Sequence, residues 1–298
     1  MADARRHHRQ GLAFMAMAVL TIPMADTIAK WLATDLSVGE IAWFRFIFQT
    51  LCLLPLLIAS RHLGRPRTEH LWLSGLIASS ILFLFGGLAQ LPLANNITLF
   101  FVEPLILVVF SIIFLGERIT LRRWLGVIGG LIGALIILRP NWSAYGLASL
   151  LPIASAVCFA GYLTLTRARI QTTHYRDALV LQHWVGWFAI LLLGGFLLIG
   201  QTTDWAITHW QPPTDWQWFW LAVAGGLAAF AHVLITMAFA RSDASLLAPL
   251  QYLEIFGAAL LGWLVFSEWP DIFTVLGGVI IVAAGLMVIH ERPVPAHP

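Results

Sequence analysis

Apolar residues run through this chain in long stretches, and short polar gaps separate them. Ten stretches reach the roughly 20 mostly apolar residues that a helix needs to cross a bilayer: 11–32, 40–59, 71–91, 95–115, 122–139, 145–166, 178–199, 216–240, 246–266 and 272–290. The longest gap, Gly200–Thr214, has 15 residues, too few for a soluble domain. The expected fold class is an all-α polytopic membrane protein with ten transmembrane helices. Met1–Gln10 is basic and precedes an apolar run, as in a signal peptide. Gly11–Leu32 is too long for the core of such a peptide, carries Asp26 and Lys30, and is followed by further spans. It therefore reads as the first membrane helix.

Cations orient these spans. Of 17 Lys and Arg residues, fourteen fall on one side: Arg5, Arg6 and Arg9; Arg61, Arg65 and Arg67; Arg118, Arg122 and Arg123; Arg167, Arg169 and Arg176; Arg241; and Arg292. Arg139 alone falls on the other side, and Lys30 and Arg45 lie within spans. Cytoplasmic loops are enriched in such residues, so both termini are expected in the cytoplasm, in a bacterial-type inner (plasma) membrane. Trp142, Trp205, Trp210, Trp216, Trp218 and Trp220 cluster on the opposite face and read as an aromatic belt in the headgroup layer.

Composition agrees. Hydrophobic residues make up 59% of the chain and charged residues 11%, against about 25% charged in a soluble domain. Mean hydropathy is +0.84. Cys52 and Cys158 sit in apolar stretches without metal spacing and read as packing residues. No GxxxxGK[ST] loop occurs, and no soluble domain is present to hold one, so ATP-driven pumping is disfavoured. No cofactor, metal or nucleic-acid partner is expected. The expected partners are a small-molecule substrate and membrane lipid, with a monomer and a dimer both compatible.

The chain also repeats itself. ANNITLFFVEPLILVVFSIIFLGERITLRRWLGVIGGLIGAL (94–135) aligns with SLLAPLQYLEIFGAALLGWLVFSEWPDIFTVLGGVIIVAAGL (245–286) at an offset of 151 residues. Glu103 falls on Glu254, Gly116-Glu117 on Ser267-Glu268, and Gly126 on Gly277. Five spans per copy is an odd number, so the second copy enters the membrane from the opposite side. The expected organisation is a first five-helix repeat over 1–140 and a second, inverted repeat over 141–298. Inverted repeats permit alternating access around a central site. The match is good for spans 3–5 against 8–10 and weak for spans 1–2 against 6–7. The small-residue faces GVIGGLIGA (126–134) and GGVIIVAAGL (277–286) read as close helix contacts, within one molecule or at a dimer interface.

FLGERITLRRWLGVIGGLIGALIILRP (114–140), with LPLANNITLFFVEPLILVVFSIIF before it and WFRFIF at 43–48, resembles the EamA branch of the drug/metabolite transporter superfamily, including its amino-acid exporters. The second copy departs from it, with SEW (267–269) in place of GER. The resemblance implies ten helices, two inverted repeats and a substrate cavity formed mainly by spans 1, 3, 4, 6, 8 and 9.

Polar residues inside membrane spans are costly and mark candidate sites. Asp26 and Lys30 lie one turn apart and can pair on one face. Arg45 stays charged at any working pH and can approach Asp26 or Glu103, so these three are gating or ion-pair candidates. Glu103 precedes Pro104, which removes a backbone hydrogen bond and frees a carbonyl beside the acid. Substrate-cavity candidates are Ser79, Phe83, Phe101, Glu103, Tyr162, His232, Gln251, Tyr252 and Glu254. Each has a structural alternative: Ser bonding its own helix, aromatics packing, and acids held by hydrogen bonds between helices.

The function expected from these features is secondary transport of a small organic solute, with no enzymatic activity. Export of aromatic or hydrophobic amino acids, or of related metabolites, fits a cavity sparse in charge. Uptake of a vitamin or cofactor such as riboflavin or S-adenosylmethionine is the alternative. An integral-membrane lipid enzyme is a remote one, because the inner-face acids Glu69, Glu117, Asp177 and Asp243 look scattered.

Overall fold

A computed structural model describes residues 2–59, 64–88, 96, 99–138, 146–170, 174–203, 208–266 and 272–289. Arg139, Trp142, Trp205, Ser267 and Glu268 lie outside the described residues. The long helices are α1 (Ala2–Leu32), α2 (Val38–Ala59), α3 (Thr68–Leu88), α4 (Glu103–Leu115), α5 (Leu121–Leu138), α6 (Leu150–Arg169), α7 (Tyr175–Thr203), α8 (Asp215–Phe239), α9 (Leu253–Phe266) and α10 (Ile272–Ile289). No strand occurs among the described residues. Among the described residues, five helical stretches are long and apolar enough to cross a membrane: Arg9–Leu32, Val38–Ala59, Gly146–Arg169, Tyr175–Thr203 and Asp215–Phe239. Large apolar side chains such as Ile113, Phe114, Leu198, Ile199 and Val279 are exposed. A surface of this kind belongs in hydrocarbon.

Three elements depart from the pattern of the sequence. Helix α1 begins at Ala2 rather than Gly11. Its arginine-rich start contains no helix breaker, and Arg is a good helix former. The fourth span is interrupted: residues 101 and 102 form a turn, and α4 starts at Glu103 with Pro104 in its first turn. Proline is tolerated there because the first N–H groups of a helix have no partner in any case. Pro104 therefore starts a helix rather than kinking one. The ninth span is not one α-helix either. A single turn, Ala244–Leu247, leads into a 3-10 stretch, Ala248–Tyr252, before α9 begins. Pro249 sits inside that stretch and supplies no N–H.

The helices pack in a paired pattern. α1 lies along α8, and α3 along α6. α4 rests on α6, and α9 on α1. α2 contacts α7 and α8, and α7 also contacts α3. α5 and α10 meet through small residues. A Cβ on Gly133 would stand 2.8 Å from the Gly277 carbonyl oxygen, and one on Gly129 would stand 3.1 Å from the Ala284 Cβ. Ascending numbers on α5 thus meet descending numbers on α10, and the two helices run antiparallel.

Opposite ends of the bundle are tied differently. At one end, Ser37 and Glu40 form a capping box: Glu40 Oε2 accepts the Ser37 N–H at 3.0 Å, and the Glu40 N–H donates to Ser37 Oγ at 3.3 Å. The other Glu40 oxygen accepts the Gln211 N–H at 2.8 Å, fixing the approach to α8 against the α1–α2 turn. Gln217 donates to Asp35 Oδ2 at 3.2 Å from the start of α8. Trp31, Trp210, Trp216, Trp218 and Trp220 gather here; Trp218 meets Phe44 at 4.9 Å between ring centroids and Trp216 meets Trp31 at 5.1 Å.

At the other end, an ion-pair network joins four segments. Arg123 donates to Asp243 Oδ2 at 3.2 Å from both terminal nitrogens, and to Ser245 Oγ at 2.7 Å. Arg167, at the end of α6, reaches the Phe239 carbonyl at 2.6 Å and Asp243 Oδ1 at 3.4 Å. Glu117 accepts the N–H groups of Ala244 and Ser245 at 2.9 and 3.0 Å, and the Ser245 hydroxyl at 2.6 Å. Glu117 and Asp243, scattered in sequence, are therefore part of one cluster. The 25 residues of α8 between the two tied ends correspond to roughly 35–40 Å.

Candidate functional site

Between these ends, five helices bring charged and polar side chains together. Asp26 on α1 pairs with Arg45 on α2 at 3.8 Å. The Arg45 guanidinium also lies 3.5 Å from His232 Nε2 on α8. Glu254, in the first turn of α9, has Asp26, Glu103 and Arg45 as its charged neighbours. Glu103 starts α4 with Gln251 and Tyr252 beside it. Asp26, Glu103, Glu254 and Arg45 thus lie within electrostatic reach of one another. Half of the Asp26 side chain (51%) is accessible.

The broken helices place these groups. With α4 starting at Glu103, the preceding turn leaves the Phe101 carbonyl outside the helical ladder, and the Tyr252 hydroxyl donates to it at 3.2 Å. The two rings lie 6.0 Å apart. Phe101 and Tyr252 are 151 residues apart, the offset of the sequence repeat. A residue touches its own repeat counterpart only near an axis relating the copies. Glu103 and Glu254, two positions further on at the same offset, are also electrostatic neighbours.

A second polar chain runs across α6, α7 and α8. Gln182 donates to the Tyr162 hydroxyl at 2.9 Å and to Thr236 Oγ1 at 2.6 Å, and Thr236 bonds the His232 carbonyl at 2.9 Å. The Tyr162 ring stands 6.2 Å from His232 and 5.9 Å from Phe159. Several buried polar atoms here have no hydrogen-bond partner among the described residues: Glu103 Oε1, Gln251 Nε2, His232 Nδ1 and Arg45 Nε.

Asp26, Arg45, Glu103, Glu254, Gln251, Tyr252, Phe101, His232 and Tyr162 are therefore brought together. Ser79 is not: its neighbour Ser80 faces α6 and bonds Ser155 at 3.0 Å. Phe83 is exposed, away from these contacts. Lys30 follows Asp26 by one turn, near the end of α1. Sequence reasoning missed Gln182, which links Tyr162 to Thr236, and the network of Arg123 and Arg167. The GER run around Glu117 was its available signal. No group of three His, Cys, Asp or Glu residues able to hold a metal occurs among the described residues.

One pattern, that of the EamA-like transporter family, matches residues 9–139 and again residues 146–290. The chain belongs to the EamA-like transporter family. Curated relatives match nearly end to end. An S-adenosylmethionine uptake transporter of Rickettsia prowazekii is 25% identical, covering 98% of this chain and 96% of its own. The pseudopaline exporter CntI of Pseudomonas aeruginosa is 29% identical, covering 93% and 94%. A riboflavin transporter of Rhizobium johnstonii is 28% identical, covering 95% and 91%. A solved crystal structure superposes with a TM-score of 0.81 at 18% identity over 94% of this chain and 96% of its own, a likeness of fold. This EamA-like protein is thus a multi-pass membrane protein whose relatives are transporters of small molecules.

Proposed function

We propose that this EamA-like protein is a secondary transporter that moves a small organic solute across a bacterial inner membrane by alternating access. The observation that carries the reading is the meeting of repeat counterparts, Phe101 hydrogen-bonded to Tyr252 and Glu103 within electrostatic reach of Glu254, in a polar cluster between two tied ends. Ten membrane helices then divide into repeats over 1–140 and 141–298, inverted with respect to one another, with both termini cytoplasmic. The paired packing of α1–α8 with α6–α3, and of α4–α6 with α9–α1, supports this division, because each pair maps onto the other when the halves exchange. The antiparallel α5–α10 contact fits a twofold axis in the membrane plane. The arginine-rich end holding Arg123 and Arg167 is the cytoplasmic one.

An amino acid or related metabolite is the first substrate reading, because the site offers acids to an amine and Arg45 to a carboxylate. Direction is export in this reading. Uptake of a cofactor such as S-adenosylmethionine or riboflavin is the second, favoured by the full-length likeness to transporters of those compounds. A solute panel containing amino acids, S-adenosylmethionine and riboflavin, tested as labelled flux in proteoliposomes, examines both. Wild-type protein is expected to move at least one member. Glu103→Gln is expected to slow that flux about tenfold or more, equivalent to about 1.4 kcal/mol. Glu254→Gln, at the more accessible of the two acids, is expected to have a smaller effect. Unchanged flux in both variants would remove the acids from the mechanism.

A further inference from the structure

We infer that residues 243–252 form a strap that closes the arginine-rich end of the bundle, and that its clasp on Glu117, Arg123 and Arg167 parts in each transport cycle. The inference rests on the transport reading and adds to it the gate at that end.

The strap and α4 are a matched pair. α4 starts at the central acid Glu103 and runs for 13 residues, about 20 Å. Gly116 ends it in the left-handed conformation, at φ 65°, and the Glu117 N–H turns back to the Ser111 carbonyl at 3.1 Å. The strap runs the opposite way, from Asp243 at the clasp to Tyr252, two residues before Glu254. Contacts at both ends hold the two in register. Glu117 accepts the Ala244 and Ser245 N–H groups and the Ser245 hydroxyl at one end, and the Tyr252 hydroxyl donates to the Phe101 carbonyl at the other. Each element thus joins a central acid to a residue of the clasp, and a shift at one place is carried to the other.

Three features make the clasp a gate rather than a fixed cap. First, it crosses the halves. Glu117 and Arg123 precede residue 140, whereas Arg167 and the strap follow residue 141, and alternating access moves the halves against each other. Second, it lies at the edge of water. The Asp243 side chain is 41% exposed, against 9% for Glu117 and 3% for Arg123. Charged groups parted there exchange their partners for water, which packed apolar side chains cannot do. Third, the strap is one helical turn followed by a 3-10 stretch that contains Pro249, all of it buried. Such a stretch within a span often marks a functional hinge, and irregular backbone at membrane depth is tolerated inside protein. Behind the clasp, Ser111, Leu107 and Glu103 follow one another at four-residue spacing on the buried face of α4, which leads to the central acids.

The test uses the full chain with Cys52→Ala and Cys158→Ala, which removes both native thiols. Ser111→Cys is the reporter, since Ser111 is buried between the clasp and Glu103. Its labelling by a membrane-impermeant maleimide is expected to be about fivefold or more faster when Glu117→Gln is added. The amide keeps one acceptor oxygen and sets two N–H donors against the donors of the strap, while Arg123 still bonds Asp243. Asp243→Asn is the second variant should Glu117→Gln fail to fold, with the thermal midpoint as the folding control. In a separate protein, Glu117→Cys and Ser245→Cys are joined by a short reducible bis-thiosulfonate linker. Linkage is expected to cut flux of the solute panel about tenfold or more, and reduction to restore it. Unchanged labelling in the folded variants overturns the inference, as does undiminished flux in fully linked protein. Absence of flux for every solute before linkage would instead overturn the transport reading, and the labelling rates then decide the clasp by themselves.

Discussion

Replacing Arg123 with alanine is expected to destabilise the protein by about 3 kcal/mol, a drop of roughly 5–10 °C in the thermal midpoint measured in detergent. The Arg123 side chain is 3% exposed and joins α5 to Asp243 and Ser245 through three hydrogen bonds. Its removal breaks the pair and leaves the buried Ser245 hydroxyl with fewer partners. Fully buried pairs lose about 3–5 kcal/mol when one member is deleted. Asp243 is 41% exposed and keeps Arg167 at 3.4 Å, which moderates the loss. Arg122→Ala, on the exposed neighbour, is expected to shift the midpoint by less than about 1 °C. A double-mutant cycle of Arg123→Ala with Asp243→Asn is expected to show coupling of about 1 kcal/mol or more. Additive single effects would mean that the contact is not energetic.

Arg45→Ala is expected to reduce solute flux by about tenfold or more with little loss of folded protein. Arg45 ties Asp26 at 3.8 Å, lies 3.5 Å from His232, and is the one cation among the charged neighbours of Glu254. Without it, Asp26 and Glu254 lose the guanidinium that neighbours both. Arg45→Lys is expected to recover only part of the flux. A lysine supplies one compact charge where the planar guanidinium reaches two partners at once. The side chain of Arg45 is 22% exposed, so its loss leaves a solvated gap rather than a collapsed core. Labelled flux in proteoliposomes, set beside the thermal midpoint of each variant, measures the separation. Full flux in Arg45→Ala would show that the guanidinium is structural or idle.

Much of this arrangement is legible in the amino-acid order. The apolar runs mark the helices, and the 151-residue offset names Phe101 and Tyr252 as counterparts before their contact is seen. Glu103, Glu254, His232 and Arg45 are conspicuous because polar groups are expensive inside membrane spans. What escapes is phase and distance. Ser79 and Ser80 are adjacent, and a rotation of about 100° between successive helical residues decides which meets Ser155. Gln182 reads as one polar residue in a long apolar helix until the fold sets it against Tyr162 and Thr236. Glu117, Arg123, Arg167 and Asp243 are spread over more than a hundred residues, so no local pattern announces that they meet. Helix breaks escape as well, because Pro104 is compatible both with a kinked helix and with a new helix start.

Entrance counterflow by wild-type protein in proteoliposomes is the most direct test of carrier-type transport. Vesicles preloaded with an unlabelled solute that the flux panel has identified are diluted into a trace of the same solute carrying label. The expected result is a transient accumulation of label inside, above its external concentration, because a carrier exchanges internal solute for external solute one binding event at a time. Identical, monotonic filling of preloaded and empty vesicles would contradict alternating access around a single central site.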